Sequence, residues 1–207
     1  MYPVLYSFRR CPYAMRARMG LRSAGITCEL REIVLRDKAP QFLEASHKGT
    51  VPVLVTEEGV LEESLDILLW ALERNDPENL LDTPPEGMAL ISESDGPFKT
   101  ALDRYKYHTR HDSDPEKERE RASEFVRKLE TKLAKNAFLY GDSARLADLA
   151  IAPFIRQFAN TDRTWFDAQA WPNTLRWLND FQNSDRFAEI MTKYPKWEEG
   201  DPVTLFG

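Results

Sequence analysis

The stretch SFRRCPYA, residues 7–14, joins a strand pattern to a helix pattern. Before it, residues 2–8 form a short aromatic and β-branched run that predicts a β-strand. After it, apolar residues recur at helical spacing over residues 11–24, and Gly25 follows where a helix would end. Residues 27–34 alternate and predict a second strand. The chain therefore opens with a βαβ unit, which indicates parallel strands.

The remaining pattern divides the chain into two domains. A short helix is expected over residues 38–45, a β-hairpin over 51–62 and a helix over 63–74, so that residues 1–75 form an α/β domain with the order βαβ-α-ββα. Residues 76–87 hold three prolines and four acidic residues, which is typical of a linker. Residues 88–207 carry no further strand signal and predict an all-α helical bundle, with helices over residues 88–108, 116–135, 145–160, 171–183 and 184–193.

Composition excludes several classes of function. The chain has 207 residues and a formal net charge of −6, without the basic cluster that a nucleic acid requires. No apolar run approaches the roughly 20 residues of a membrane span, and the first residues lack a signal-peptide pattern. We therefore expect a cytoplasmic protein that binds neither a nucleic acid nor a membrane. With two cysteines and no CxxC pair, no metal site is expected.

Cys11 is the candidate nucleophile. A thiol at the start of a helix lies near unpaired backbone N–H groups and the positive end of the helix dipole, which favour the thiolate. Pro12 loses no hydrogen bond in the first helical turn. The alternative is a buried small apolar residue, but the Cys-Pro pair at a strand–helix junction favours function. Position 14 is alanine, so any chemistry uses one thiol, and Cys28, inside the second strand, is expected to pack in the core.

Two dipeptides could bind a peptide-like ligand. Pro52 opens a strand, where proline costs no ladder hydrogen bond. If the Val51–Pro52 bond is cis, the main chain of Val51 would face the cysteine and offer its N–H and C=O groups. Glu63 and Ser64 begin a helix, whose N-terminus suits a carboxylate, and Glu63 could meet an α-ammonium group. The alternatives are the commoner trans bond and simple helix capping.

Together, Cys11-Pro12-Tyr13-Ala14, Val51-Pro52 and Glu63-Ser64 resemble the glutathione transferase family in their order and approximate spacing. The resemblance covers essentially the whole chain and implies a thioredoxin-like N-terminal domain followed by an all-helical domain. A cysteine at the first helix is similar to the omega class and to related bacterial members of cysteine type. It also resembles glutaredoxins with a fused helical domain.

The resemblance implies that Cys11 forms a mixed disulfide with glutathione, which would be the cosubstrate. It implies that glutathione is held by five residues: Lys38, Val51, Pro52, Glu63 and Ser64. Val51 would pair its backbone with the cysteinyl part, beside a cis proline. Glu63 and Ser64 would hold the γ-glutamyl end, and Lys38 would contact the glycyl end.

A second-substrate pocket should lie beside the cysteine, next to the first long helix of the helical domain. Aromatic and histidine side chains are its candidate lining: Tyr13, Tyr105, Tyr107, His108 and Trp165. The alternative for these residues is core packing or plain surface. His108 and His111 have a spacing that could bind a metal, but no third ligand is near them in the sequence.

One position departs from the family pattern. The family usually opens a buried helix of the second domain with a Ser/Thr-x-x-Asp capping box. Here the corresponding residues are Arg145 and Asp148, so that the hydroxyl is missing and the carboxylate is kept. Ser143 could shift the cap, and the exact start of this helix is left open.

The implied function is that of a glutathione-dependent thiol transferase of omega-like type, an oxidoreductase activity. Cys11 would attack a glutathionylated substrate or an oxidised small molecule, and a second glutathione would resolve the disulfide. Reduction of dehydroascorbate and deglutathionylation are alternatives within the family. A non-catalytic binding module of the same fold and a glutathione-dependent isomerase are the alternatives outside that chemistry. The expected partners are glutathione and a small disulfide or electrophile, in a homodimer, with a monomer left open.

Overall fold

A computed structural model describes residues 2–207. The chain forms two compact units: the first contains the residues up to Asn79 together with Ser184–Gly207, and the second contains Leu80–Asn183. Along the chain the elements are β1 (Val4–Ser7), α1 (Pro12–Ser23), β2 (Cys28–Glu32), α2 (Pro40–Ala45), β3 (Val53–Thr56), β4 (Gly59–Leu61), α3 (Ser64–Arg74), α4 (Pro85–Glu93), a π-helical turn (Ser94–Phe98), α5 (Lys99–Lys106), α6 (His108–His111), α7 (Pro115–Leu133), α8 (Leu146–Ala159), α9 (Arg163–Asp167), α10 (Pro172–Gln182), α11 (Asp185–Ile190) and β5 (Leu205–Phe206).

The first unit is built on a sheet with the strand order β4-β3-β1-β2-β5. β1 and β2 are parallel, with Leu5 opposite Leu30, while β3 is antiparallel to β1 and β4 to β3. The predicted βαβ unit and the later hairpin are confirmed. The alternating sequence pattern of the second strand corresponds to alternating burial in β2. Cys28, Leu30 and Glu32 are buried, and the residues between them are partly exposed.

Helices α1 and α3 pack closely together. The first turns of both helices contribute residues to the candidate site. A Cβ atom on Gly20 would lie 2.8 Å from the Leu68 Cα and 2.7 Å from the Leu68 Cδ1 atom. Only glycine therefore allows the two helices to approach this closely. The contact holds the N-termini of α1 and α3 in a fixed relation within the unit.

The C-terminal segment differs from the expected domain boundaries of 1–75, 76–87 and 88–207. Residues 184–207 belong to the first unit, and β5 pairs antiparallel with β2, with Phe206 opposite Cys28. The expected helix over residues 184–193 is shorter, covering Asp185–Ile190. The last residues do not continue the helical pattern: they pair with the edge of β2 that would otherwise be open. The ring of Phe206 is buried in this arrangement. Within the expected linker, α4 already begins at Pro85.

The long elements of the second unit are all helices, as expected. The predicted single helix over residues 88–108 is divided into α4, α5 and a π-helical turn that contains Pro97, and α9 was not predicted. Its core is aromatic, with Phe98 stacked on Phe125 at a centroid distance of 4.8 Å. None of the helices in residues 2–207 combines the length and the hydropathy that crossing a bilayer requires.

Helix α8 begins at Leu146, with Arg145 at its N-cap, so that Ser143 does not shift the cap. Asp148 Oδ2 accepts the Arg145 N–H at 2.9 Å, which is the carboxylate half of the capping box. An arginine side chain has no acceptor and cannot supply the other half. Its guanidinium instead pairs with Asp82 at 3.1 Å.

Candidate functional site

Cys11 lies at the N-cap of α1, with extended backbone angles (φ −74°, ψ 125°). Its N–H donates to the Phe8 carbonyl at 2.9 Å, and its own carbonyl accepts from the Met15 N–H at 2.9 Å. Pro12 occupies the first helical position, as predicted. The partly exposed thiol therefore lies at the positive end of the α1 dipole, which favours negative charge on the sulfur.

The Val51–Pro52 peptide bond is cis, the geometry that the family resemblance implies and that the sequence alone left open. The Cys11 thiol donates to the carbonyl oxygen of Val51, with 3.7 Å between the sulfur and the oxygen. Both residues border the same cavity. The main chain before β3 thus faces the thiol and offers backbone groups to a ligand that lies between them.

A cavity of about 480 Å³ surrounds the thiol, entirely within the first unit. It brings together seven residues singled out from the sequence: Cys11, Tyr13, Lys38, Val51, Pro52, Glu63 and Ser64. It also contains four that sequence analysis missed: Leu35, Gly49, Thr50 and Glu62. A Cβ atom on Gly49, which has φ +59°, would lie 3.1 Å from the Lys38 Nζ atom. Gly49 lies two residues before Val51, and it was the one feature of the sequence that could have indicated this part of the cavity wall.

The N-terminus of α3 forms the polar end of the cavity. Ser64, its first residue, is buried, and its hydroxyl oxygen accepts from Arg16 Nη1 at 3.4 Å. Arg16 lies on α1 and is 1% exposed. A buried hydroxyl, an arginine and the N–H groups of a helix start suit a carboxylate.

Glu62 and Glu63 form the acidic part of the wall. The exposed Lys48 Nζ atom lies 3.0 Å from Glu63 Oε1 and 3.4 Å from Glu62 Oε2. The hydrogen bond to Glu63 and the charge of Glu62 raise the pKa of Lys48. A hydrogen bond from the Ser46 hydroxyl lowers the pKa of Glu62. Both carboxylates are therefore placed to meet an ammonium group, which Lys48 supplies here.

The five candidates for a second-substrate pocket are divided between the units. Tyr13 lines the cavity around Cys11, whereas Tyr105, Tyr107, His108 and Trp165 belong to the second unit. Within that unit, the rings of Tyr105 and Trp165 pack on Phe158 at centroid distances of 5.8 Å and 6.0 Å. Tyr107 is partly buried at the end of α5, and His108 is exposed. A role for these four in substrate binding stays a prediction.

Neither Cys11 nor Cys28 forms a disulfide bond. Cys28 is fully buried, and burial raises its pKa to about 12. It therefore remains a neutral thiol that packs in the sheet, as the sequence analysis expected. Across residues 2–207 there is no group of three histidine, cysteine or acidic side chains that could hold a metal ion.

Comparison with known proteins follows these two units. A sequence model described as glutathione S-transferase, N-terminal domain, matches residues 5–80, and one described as glutathione S-transferase, C-terminal domain, matches residues 99–180. The chain belongs to the glutathione S-transferase family. The matched residues of the N-terminal domain include every residue that lines the cavity around Cys11.

Relatives within the family include members of the omega class. Glutathione S-transferase omega-1 of Rattus norvegicus is 31% identical over 159 residues, covering 74% of this chain and 66% of that protein. Probable glutathione S-transferase DHAR2, chloroplastic, of Oryza sativa subsp. japonica is 30% identical over 146 residues, 69% of this chain but 50% of that protein. Probable glutathione S-transferase parA of Nicotiana tabacum is 30% identical, covering 75% of this chain and 72% of that protein. The aligned part thus spans between half and about three quarters of these relatives.

Solved structures show the same fold. A glutathione transferase family member from Pseudomonas fluorescens pf-5, solved with two glutathione bound, superposes with a TM-score of 0.79 at 16% identity, covering 92% of each chain. Glutathione transferase Omega 3C from Trametes versicolor superposes with a TM-score of 0.77 at 19% identity, covering 96% of this chain and 87% of the other. The fold is therefore a thioredoxin-like domain with a mixed sheet and a helical C-terminal domain.

Proposed function

We propose that this protein is a glutathione-dependent thiol transferase of omega-like type, with Cys11 as its nucleophile. The observation that carries the proposal is the position of the Cys11 thiol, at the N-terminus of α1 and 3.7 Å from the Val51 carbonyl oxygen. This thiol opens into a cavity of about 480 Å³, which suits a small peptide. Omega-class relatives at about 30% identity support the same assignment.

Glutathione would bind in this cavity as the cosubstrate, with its sulfur at Cys11. Val51 would pair its main chain with the cysteinyl part, beside Pro52. Ser64 and the α3 N-terminus would receive the α-carboxylate of the γ-glutamyl end, and Glu63 its ammonium group in place of Lys48. Lys38 would pair with the glycyl carboxylate. Each charged group of the peptide thereby meets an opposite charge or a donor.

The reaction needs one thiolate and two exchange steps. The Cys11 thiolate attacks the glutathione sulfur of a mixed disulfide R–S–S–G, the S–S bond breaks, and the R–S⁻ that leaves takes a proton from water. The thiolate of a second glutathione then attacks the glutathione sulfur bound to Cys11. Oxidised glutathione leaves, and the Cys11 thiolate is regenerated. Overall, R–S–S–G and one glutathione give R–SH and oxidised glutathione.

The test is glutathione-dependent reduction of a small glutathionylated disulfide by wild type, Cys11→Ser and Cys28→Ser. Cys11→Ser should fall to background because it lacks the attacking sulfur, whereas Cys28→Ser, which changes a buried thiol outside the cavity, should keep the activity of its folded fraction. Dehydroascorbate, a glutathionyl-hydroquinone and an aromatic electrophile, assayed in parallel, separate the alternative activities of the family.

Retention on immobilised glutathione completes this experiment. If wild type is retained but is as inert as Cys11→Ser toward all four substrates, thiol transfer is wrong and a non-catalytic binding module replaces it. An isomerase would instead convert its substrate without consuming glutathione.

The proposal extends to the location and the oligomeric state of the protein, which we propose to be a cytoplasmic homodimer. The homodimer is proposed because closed two-fold dimers are the commonest assembly. Light scattering at micromolar concentration distinguishes this dimer from a monomer.

A further inference from the structure

Glu32, the last residue of β2, is a buried carboxylate that the proposed chemistry does not use. Its Oε1 atom accepts the backbone N–H of Arg9 at 2.6 Å. Its Oε2 atom accepts from Arg18 Nη2 at 2.5 Å. One carboxylate therefore joins the end of β2, the loop before Cys11 and the middle of α1.

The two arginines extend this contact to the C-terminal segment. Arg18, which is fully buried, donates from Nη1 to the Ile190 carbonyl at 3.0 Å. The Arg9 side chain donates to the Met191 carbonyl at 3.3 Å. Burial lowers the pKa of Arg18, and the Glu32 charge opposes this effect. The loop, α1 and the end of α11 thus meet at Glu32 within the first unit.

Two hydrogen bonds from backbone N–H groups span the loop between β1 and α1. Arg9 lies two residues before Cys11, and the Cys11 N–H donates to the Phe8 carbonyl at 2.9 Å. The Arg9 N–H bond to Glu32 and this short turn together leave the loop little freedom. Cys11 ends this loop at the N-cap of α1, and the effect of a helix terminus falls off within one turn, so the conformation of the loop determines how strongly the terminus acts on the sulfur.

Stability alone is a weak reason for this buried carboxylate. Replacing a buried ion pair with apolar residues of similar volume is often neutral or stabilising. An apolar side chain at position 32, however, leaves the Arg9 N–H without its acceptor. The distinctive contribution of Glu32 is therefore to the loop rather than to the core.

We propose that Glu32 is a positioning residue for Cys11, which it serves by holding the Arg9 N–H and thereby fixing the Phe8–Cys11 loop. The inference rests on the proposed function, in which the Cys11 thiol is the reacting group. It assigns Glu32 no contact with substrate. Its effect reaches the sulfur only through the backbone of the loop.

Two double variants isolate the hydrogen bond from the ion pair. Arg18→Met/Glu32→Met and Arg18→Met/Glu32→Gln both remove the buried charges, but only the glutamine keeps an acceptor for the Arg9 N–H. A cavity of about 420 Å³, lined in part by Glu32, leaves room for water at the glutamine amide group. Glu29→Gln, on the same strand, is the control, because Glu29 pairs with Arg31 instead.

The readout is the rate at which iodoacetamide alkylates Cys11, followed from pH 5 to pH 10 by peptide mass spectrometry. In the methionine variant the rate at pH 7 should fall about fivefold and the midpoint of the pH profile should rise, because the thiol loses its alignment with the helix terminus. The glutamine variant and Glu29→Gln should stay within about twofold of wild type. Equal rates in the two double variants would overturn the proposal, since a merely structural role would affect both alike.

A measurement without substitutions covers the case in which the methionine variant does not fold. In the wild-type protein the Arg9 amide should exchange its hydrogen at least about tenfold more slowly than an unanchored loop amide. Exchange at the unprotected rate would also overturn the proposal. Alkylation reports on the thiol whether or not the protein reduces disulfides. A shifted alkylation profile in a protein without disulfide reductase activity would therefore remove only the proposed function.

Discussion

Cys11 and Cys28 carry the same thiol in opposite surroundings. The Cys11 side chain borders an open cavity at a helix N-terminus, whereas Cys28 is fully buried in β2. Burial raises the pKa of Cys28 to about 12, so that this thiol stays neutral over the whole physiological range. Since the thiolate is the nucleophile, both access and charge favour reaction at Cys11.

Alkylation of the native protein should therefore label Cys11 alone. Iodoacetamide at pH 8 should add one group per native chain and two in guanidinium chloride, as read by intact mass. Raising the pH to 10 should not add a second group, because the raised pKa keeps the Cys28 thiol protonated below about pH 12. Cys11→Ser should remain unlabelled under native conditions. A second group on native wild type at pH 8 would contradict the burial of Cys28.

Local motifs made much of the site predictable. Cys11-Pro12, Val51-Pro52 and Glu63-Ser64 each combine a residue type with a position at an element boundary, which a single sequence reveals. Glu32 gave no such signal, since its importance depends on contacts with residues 23 and 14 positions before it. Such contacts are set by the tertiary fold rather than by local sequence.

Among the elements, α10 begins without a cap of its own. Trp171 at its N-cap makes no side-chain cap bond. Glu130 on α7 replaces it, accepting the N–H and side-chain amide of Asn173 at 3.2 Å and 2.7 Å and the N–H and hydroxyl of Thr174 at 2.8 Å and 3.0 Å. Burial raises the pKa of Glu130, but these hydrogen bonds outweigh it and hold the pKa below the usual 4.5. One carboxylate therefore satisfies the first turn of α10 and joins it to α7.

Glu130→Ala should lower the free energy of unfolding by about 2 kcal/mol at pH 7, because the donors of α10 lose their acceptor. Glu130 binds protons less tightly in the folded protein, so its contribution is complete above the unfolded pKa and is lost as the pH falls through the folded pKa. The penalty, measured by urea unfolding, should therefore shrink from pH 7 towards pH 3. Glu124→Ala, an exposed change on the same helix, should cost less than about 0.5 kcal/mol. A penalty independent of pH would contradict this account.

Helix boundaries were predictable only where the sequence marks them. Asp114 and Pro115 give the start of α7, where Asp114 accepts from two backbone N–H groups as its N-cap. The region from Ser94 to Phe98 keeps a helical periodicity, and the π-helical turn there changes the hydrogen-bond pattern without interrupting it. The start of α10 was predicted near Trp171, but its cap on another helix was not.

At the scale of the whole molecule, the chain returns to its first unit after the helical unit is complete. β5 covers the edge of β2 and extends the sheet to five strands. Phe206 is 5% exposed, while its neighbour Leu205 is 48% exposed. The sequence analysis missed this return because a two-residue strand is too short to show alternation.

Phe206→Ala and Leu205→Ala form a matched pair that tests how far this return stabilises the first unit. Phe206→Ala removes a buried ring and should cost about 3 kcal/mol, whereas Leu205→Ala keeps the same backbone pairing and should cost less than about 1 kcal/mol. Hydrogen exchange resolves the two units separately. In Phe206→Ala the amides of β2 should exchange faster, while those of α8, in the second unit, should keep their wild-type rates. Equally accelerated hydrogen exchange in β2 and α8 would mean that the two units open together. The C-terminal segment would then stabilise the whole molecule rather than the first unit alone.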